Sequence, residues 1–146
     1  MLRITAEPVA QGLPLPQIMT PGAAAADLRA ALEAPVTLEP GQFGMVSTGL
    51  RLEIPLGFEG QVRPRSGLAA KNGVTLLNSP GTIDSDYRGV VQVILMNHGP
   101  LPFTIQHGDR IAQLVVAPVS RVRYELADEL NDSARGDGGF GHTGVK

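Results

Sequence analysis

No cysteine occurs in the 146 residues, which removes disulfides, thiolate nucleophiles and thiolate metal ligands together. Tryptophan is also missing, and aromatics make up 4% of the chain against 42% hydrophobic residues. A core must therefore be filled by aliphatic side chains, and each aromatic ring is worth tracing. Charge of one sign never accumulates: 12 basic and 14 acidic residues leave a net charge of −2 with no like-charged block. That argues against general nucleic-acid or membrane-surface binding. No stretch approaches the roughly 18 apolar residues of a membrane span, and Met1–Glu7 has no apolar core of a signal peptide. These absences lead to the expectation of a soluble, unprocessed, cytoplasmic protein whose cofactor chemistry, if any, uses oxygen ligands.

A chain of this length holds one domain with a sizeable core. Residues 2–10 read as a strand, and Pro14, Pro16 and Pro21 then enforce an extended connection. The alanine-rich stretch around Asp27 reads as a short strand or turn. Beyond it, strand-length apolar runs recur at Val36–Leu38, Phe43–Ser47, Leu50–Ile54, Gln61–Arg63, Val74–Leu77, Val90–Met96, Phe103–Ile105, Ile111–Ala117 and Val122–Leu126. Turn sequences such as Glu39-Pro40-Gly41 and His107-Gly108-Asp109 separate them. This spacing belongs to an all-β sandwich or barrel. One short helix is expected over Ser66–Gly73, starting on Ser66 as its N-cap and stopping at Asn72-Gly73. Residues 1–134 are expected to form the β domain. Residues 135–146, with five of the 18 glycines, form a flexible arm whose one aromatic is Phe140.

The polar residues gather in a few segments. Gly81-Thr82-Ile83-Asp84-Ser85-Asp86-Tyr87-Arg88-Gly89 sets two carboxylates, a ring and a guanidinium between glycines. It lies between two β-branched runs, which predicts a hairpin with the polar cluster at its bend. Arg63-Pro64-Arg65-Ser66-Gly67 places two guanidiniums and a hydroxyl at the start of the short helix, where free N–H groups favour an anion. Gly136-Asp137-Gly138-Gly139-Phe140-Gly141-His142-Thr143 has phosphate-loop spacing, yet His142 stands where a Walker lysine belongs and no helix follows, so it is not an ATPase loop. Its glycines still expose N–H groups to phosphate oxygens. Gln113 interrupts the apolar run after Gly108-Asp109-Arg110 and needs a partner. Taken singly, a turn aspartate or a capping serine is most often only solvated.

Taken in order, these segments are more specific. Ala26-Asp27-Leu28-Arg29-Ala30, Pro64-Arg65-Ser66-Gly67-Leu68-Ala69, Gly81–Gly89, Gly108-Asp109-Arg110-Ile111-Ala112-Gln113 and Arg135-Gly136-Asp137-Gly138-Gly139-Phe140-Gly141 resemble the five ordered motifs of the trimeric dUTP pyrophosphatases (dUTPases). The resemblance spans nearly the whole chain. It implies a jelly-roll subunit, a homotrimer with sites at subunit boundaries, and Mg²⁺-dependent hydrolysis of dUTP to dUMP and diphosphate. That reaction limits uracil in DNA and supplies dUMP for thymidylate synthesis.

Carried onto this chain, Asp84 matches the general base, and Tyr87 the ring that packs under deoxyribose and leaves no room for a 2′-hydroxyl. Asn78, Gly81, Thr82, Ile83 and Gln92 match the segment that reads uracil. Arg65, Ser66, Gly67 and Gln113 match phosphate contacts, and Asp27 matches an acid reaching metal-bound water. Arg135, Phe140, Gly141 and Thr143 match the arm that closes over base and γ-phosphate. Val90 and His142 depart from residues common in relatives, an acid and a serine. A dCTP deaminase of similar fold would need a glutamate beside the base ring; a non-catalytic nucleotide-binding jelly roll would not need base, ring and arm all intact.

Overall fold

The computed structural model describes residues 1–142. Ten strands and one helix follow in chain order: β1 (Arg3–Ala6), β2 (Ala26–Arg29), β3 (Val36–Leu38), β4 (Phe43–Glu53), β5 (Phe58–Arg63), α1 (Ser66–Asn72), β6 (Val74–Leu76), β7 (Gly81–Ile83), β8 (Val90–Asn97), β9 (Phe103–Ile105) and β10 (Arg110–Pro118). They build two four-stranded sheets, ordered β1-β4-β8-β6 and β2-β10-β5-β7, and a two-stranded sheet β3-β9. Every strand pair is antiparallel. This is the expected jelly-roll sandwich.

Alternation along the strands supplies its core, since inward residues of both four-stranded sheets meet in one cluster. Val46, Leu52, Val93 and Leu95 come from one sheet, Leu28, Val62, Ile111 and Leu114 from the other. The filling is aliphatic, as the composition requires. Of the aromatic rings only Phe103 packs against this cluster; Phe43, Phe58, Tyr87, Tyr124 and Phe140 are exposed. Asn97, fully buried, is satisfied on both sides of its amide. Its Nδ2 donates to the carbonyls of Leu38 at 2.9 Å and Leu101 at 2.8 Å, and its Oδ1 accepts from the Gly99 N–H at 2.9 Å.

Five expectations need correction. The first strand ends at Ala6, because Pro8 opens a 3-10 turn over Pro8–Ala10. Phe43–Ser47 and Leu50–Ile54 are one strand, β4, interrupted by a bulge: Ser47 faces Gln92, but Arg51 faces Val90. Thr48 makes this possible by turning its buried hydroxyl onto the Val91 carbonyl at 2.8 Å, while Gly49 takes φ +63°. In α1 the N-cap is Arg65, without a side-chain cap bond, and Ser66 is the first helical residue. The helix ends at Asn72, where Gly73 at φ +69° donates its N–H to the Ala69 carbonyl. The predicted hairpin is only half present. β6 pairs with β8, but between them Gly81–Ile83 leaves that sheet and pairs with β5 in the other. Finally, Val122–Leu126 forms no strand. Its alternating residues Val122, Tyr124 and Leu126 are exposed, and alternation makes a strand only where an edge is available to pair with.

Candidate functional site

Two polar clusters stand on this scaffold. The first is the segment that crosses from one sheet to the other. β7 and β8 flank a small pocket of about 180 Å³ lined by Thr82, Ile83, Asp84, Tyr87, Val91 and Gln92. Ile83 and Val91 point inward and are buried, which leaves the neighbouring Thr82, Asp84 and Gln92 facing out by the period of two. Between the strands the chain turns tightly. The Tyr87 N–H donates to the Asp84 carbonyl at 3.1 Å, and the Arg88 guanidinium donates to the carbonyls of Ser85 at 2.7 Å and Tyr87 at 2.9 Å. The ring of Tyr87 lies across Gly89, where an added Cβ would come within 2.8 Å of ring Cε2, and its hydroxyl donates to the Val90 carbonyl at 3.1 Å. Gly89 therefore leaves the ring its place, and a side chain there would displace it. Asn78 stands beside Gly81, its Nδ2 3.2 Å from where a Cβ would be.

The second cluster is organised by Asp27 on β2. Arg65 Nε donates to its Oδ1 at 3.2 Å and Arg110 NH1 to its Oδ2 at 3.1 Å, while Gln113 Nε2 approaches Oδ1 at 3.5 Å. Arg65 also donates to the Arg110 carbonyl at 3.0 Å. The Asp27 side chain is 13% exposed and that of Arg65 23%. One carboxylate thus faces two guanidiniums, and the local balance is positive beside the start of α1. Among the described residues the N–H groups of Ser66 and Gly67 find no acceptor within the chain. Guanidinium charge and free backbone donors at one point suit an oxyanion.

Arg65, Ser66, Gly67, Gln113 and Asp27 are thus brought together, as are Asn78, Gly81, Thr82, Ile83, Asp84, Tyr87 and Gln92. Arg63 is not part of the anion cluster, because its guanidinium turns to Gln61 Oε1 at 3.1 Å through Nε. Asp27 was expected to reach toward metal-bound water; its two oxygens are engaged by Arg65 and Arg110. Arg135, Phe140 and Gly141 stand away from both clusters. Among the described residues, every hydrogen bond of segment 120–142 falls within that segment, for example Arg135 Nε to the Gly138 carbonyl at 2.7 Å. Thr143 lies outside the described residues. Arg110, which the sequence does not single out, is the second guanidinium on Asp27; its place just after the turn His107-Gly108-Asp109 is the one local signal for it. Asp27 lies on the edge strand β2 and Gln113 on β10, whereas Arg65 follows β5, the strand that pairs with β7; Asp84 lies beyond the Gly60–Ile83 end of that pairing and Arg65 beyond the Val62–Gly81 end, which sets the two clusters apart within a chain.

Fold and site together define a β-sandwich protein that combines a carboxylate held between two guanidiniums at the start of a short helix with a small pocket rimmed by a carboxylate and an aromatic ring. The dUTPase family model matches residues 12–144. The chain belongs to the dUTPase family. It is 60% identical over 137 residues to the deoxyuridine 5'-triphosphate nucleotidohydrolase of Rhizobium rhizogenes, covering 92% of this chain and 88% of that protein. Its identity to the protein of the same name from Maricaulis maris is 51% over 138 residues, with 93% and 91% covered. In three dimensions it superposes on a Staphylococcus bacteriophage 80alpha dUTPase bound to dUpNHpp with a TM-score of 0.88, at 24% identity and 99% coverage of both chains. A dUTPase of S. aureus phage phi11, described with a structural Mg(II) ion, superposes with a TM-score of 0.77 at 22% identity, covering 88% of this chain and 97% of that one. No helix among the described residues is long and apolar enough to cross a membrane.

Proposed function

We propose that the protein hydrolyses dUTP to dUMP and diphosphate. The observation that carries this reading is the convergence of Asp84, Tyr87, Thr82 and Gln92 on one small pocket in a chain of the dUTPase family. Water, deprotonated by the Asp84 carboxylate, attacks the α-phosphorus; the new P–O bond forms as the bond to the bridging oxygen breaks, and diphosphate leaves. A carboxylate suits this role where it is accessible, and Asp84 is exposed at the pocket rim. In this reading Thr82, Gln92 and Asn78, with the backbone of β7, read uracil by its hydrogen-bonding edge; Thr82 and Gln92 lining the pocket and Asn78 beside Gly81 support it. Tyr87 supplies the face against deoxyribose, since a 2′-hydroxyl there would be left without partner or room.

Arg65 and the N–H groups of Ser66 and Gly67 hold phosphate oxygens, with Gln113 beside them. Asp27 keeps Arg65 and Arg110 oriented. Arg135, Phe140, Gly141 and Thr143 belong to an arm, residues 135–146, that closes over the bound nucleotide. In one chain, among the described residues, 135–142 hydrogen-bond only among themselves and their near neighbours in sequence, and Asp84 and Arg65 stand at opposite ends of the β5–β7 pairing. Both facts are accounted for in a homotrimer whose sites are completed at subunit boundaries.

Mg²⁺ fits this donor set in one way. Among the described residues no three acidic or histidine side chains converge, and Asp27 has both oxygens on guanidiniums, so a metal would rest on substrate phosphates and reach Asp27 through water. When bound, the ion offsets charge on the phosphate oxygens. A cytoplasmic address belongs to the same reading.

The test is product release from dUTP, with dCTP, dTTP and UTP as controls. Diphosphate from dUTP in preference to the others supports the reading. Ammonia from dCTP would mark a deaminase instead, and binding without any release a non-catalytic nucleotide-binding protein.

A further inference from the structure

We propose that Arg51, oriented by Glu7, is a positioning residue that holds the turn carrying Asp84 and Tyr87; the proposal rests on that turn being the reacting site. Residues 84–89 are mostly exposed, and their internal hydrogen bonds, from Tyr87 N–H to Asp84 and from Arg88 to Ser85 and Tyr87, shape the loop without anchoring it to the sandwich. Among the described residues one side chain from another element hydrogen-bonds to it. Arg51 NH1, on β4, donates to the Arg88 carbonyl at 3.0 Å.

The same guanidinium is fixed from behind. Its Nε and NH2 both donate to Glu7 Oε1, at 3.2 Å and 2.6 Å. Glu7 in turn donates its backbone N–H to the Gly49 carbonyl at 2.7 Å. Gly49 lies in the β4 bulge, which is what sets Arg51 opposite Val90, the residue where the turn re-enters β8. Bulge, carboxylate and guanidinium thus form one device. A planar guanidinium with three donors engaged has little rotational freedom, so it can fix the height of the Arg88 carbonyl and, one residue earlier, the Tyr87 ring. Bulges beside reactive segments commonly re-aim a side chain in this manner.

The chain offers a direct probe of the turn. It has two tyrosines and no tryptophan, so in a Tyr124→Phe background the remaining tyrosine emission belongs to Tyr87. Acrylamide quenching of that emission and steady-state kinetics with dUTP and UTP would be measured for this background and for Arg51→Ala, Arg51→Lys and Glu7→Gln within it.

For Arg51→Ala the expected result is quenching raised about two-fold, kcat for dUTP down about ten-fold with KM within about three-fold, and a lower dUTP-to-UTP efficiency ratio. Arg51→Lys should recover part of each effect, because an ammonium keeps the charge and can donate but lacks the planar fork that spans Glu7 and the Arg88 carbonyl together. Glu7→Gln should fall between, and it carries the same comparison if Arg51→Ala does not fold. Unaltered Tyr87 quenching and an unaltered nucleotide ratio in folded variants would overturn the proposal, as would a loss of activity tracked only by a lower thermal midpoint. If the parent protein does not hydrolyse dUTP at all, the functional reading fails, whereas the quenching data still decide whether Arg51 holds the turn.

Discussion

Arg65 Nε meets Asp27 Oδ1 at 3.2 Å, although the two residues are 38 positions apart and neither has a charged neighbour in sequence that predicts the other. Arg110 takes the second oxygen at 3.1 Å. The carboxylate lies between two guanidiniums that would otherwise repel, and Arg65 is held a second time by the Arg110 carbonyl at 3.0 Å.

Replacing it should be felt first in phosphate binding. Asp27→Ala is expected to raise KM for dUTP about ten-fold with kcat within a few-fold, and to destabilise the fold by on the order of 1–3 kcal/mol through the loss of charged hydrogen bonds. Kinetics and thermal melting, each at two Mg²⁺ concentrations, check it. An unchanged KM would remove Asp27 from the anion site, and recovery at high Mg²⁺ would assign it to metal-bound water.

Asp84→Asn keeps the size of the side chain and removes its basicity. Turnover should fall on the order of 10²-fold or more while a non-hydrolysable dUTP analogue still binds. Near-normal turnover would pass the role to Asp86, the other exposed carboxylate of the turn.

Gly89 and Tyr87 can be separated by two substitutions. Tyr87→Ala should lower dUTP turnover and the dUTP-to-UTP efficiency ratio together, because both the ring's positioning and its exclusion of a 2′-hydroxyl disappear. Gly89→Ala leaves the ring in the chain but drives a Cβ to 2.8 Å from its Cε2. The ring is exposed and free to swing out, so melting should barely change while the ratio falls as it does for Tyr87→Ala. A Gly89→Ala protein with unaltered preference would show that the ring position does not set sugar choice.

Removal of residues 135–146 should leave assembly and thermal stability nearly intact, since the described part of that segment hydrogen-bonds only to itself. Hydrolysis of dUTP should be lost, because ordering a glycine-rich tail is offset only by ligand contacts. Size-exclusion chromatography and diphosphate release on the truncated protein separate the two effects. Failure to assemble would make the tail structural.

Much of the fold could be read along the chain because strand pairing obeys a local rule. Val36–Leu38 and Phe103–Ile105 were read to the residue, and the runs that became β8 and β10 to within a residue at each end. A side chain two positions on returns to the same face whatever it packs against, so alternating and β-branched runs announce themselves without their partners. The aliphatic filling of the core was legible in composition, and the five motifs through their resemblance to a known family.

What only tertiary structure decided depends on which edges are free. Gly81–Ile83 looked like the bend of a hairpin, but β5 offers it an unpaired edge in the other sheet, and taking that edge is what opens the pocket between β7 and β8. Val122–Leu126 carries the same alternation as real strands and stays unpaired, because alternation specifies a face and not a neighbour. The Asp27 cluster and the Arg51 hold on the turn were invisible in sequence because their members are 38, 83 and 37 positions apart. Long guanidinium side chains find their acceptors by distance in space, and that distance is set only when the sheets have formed.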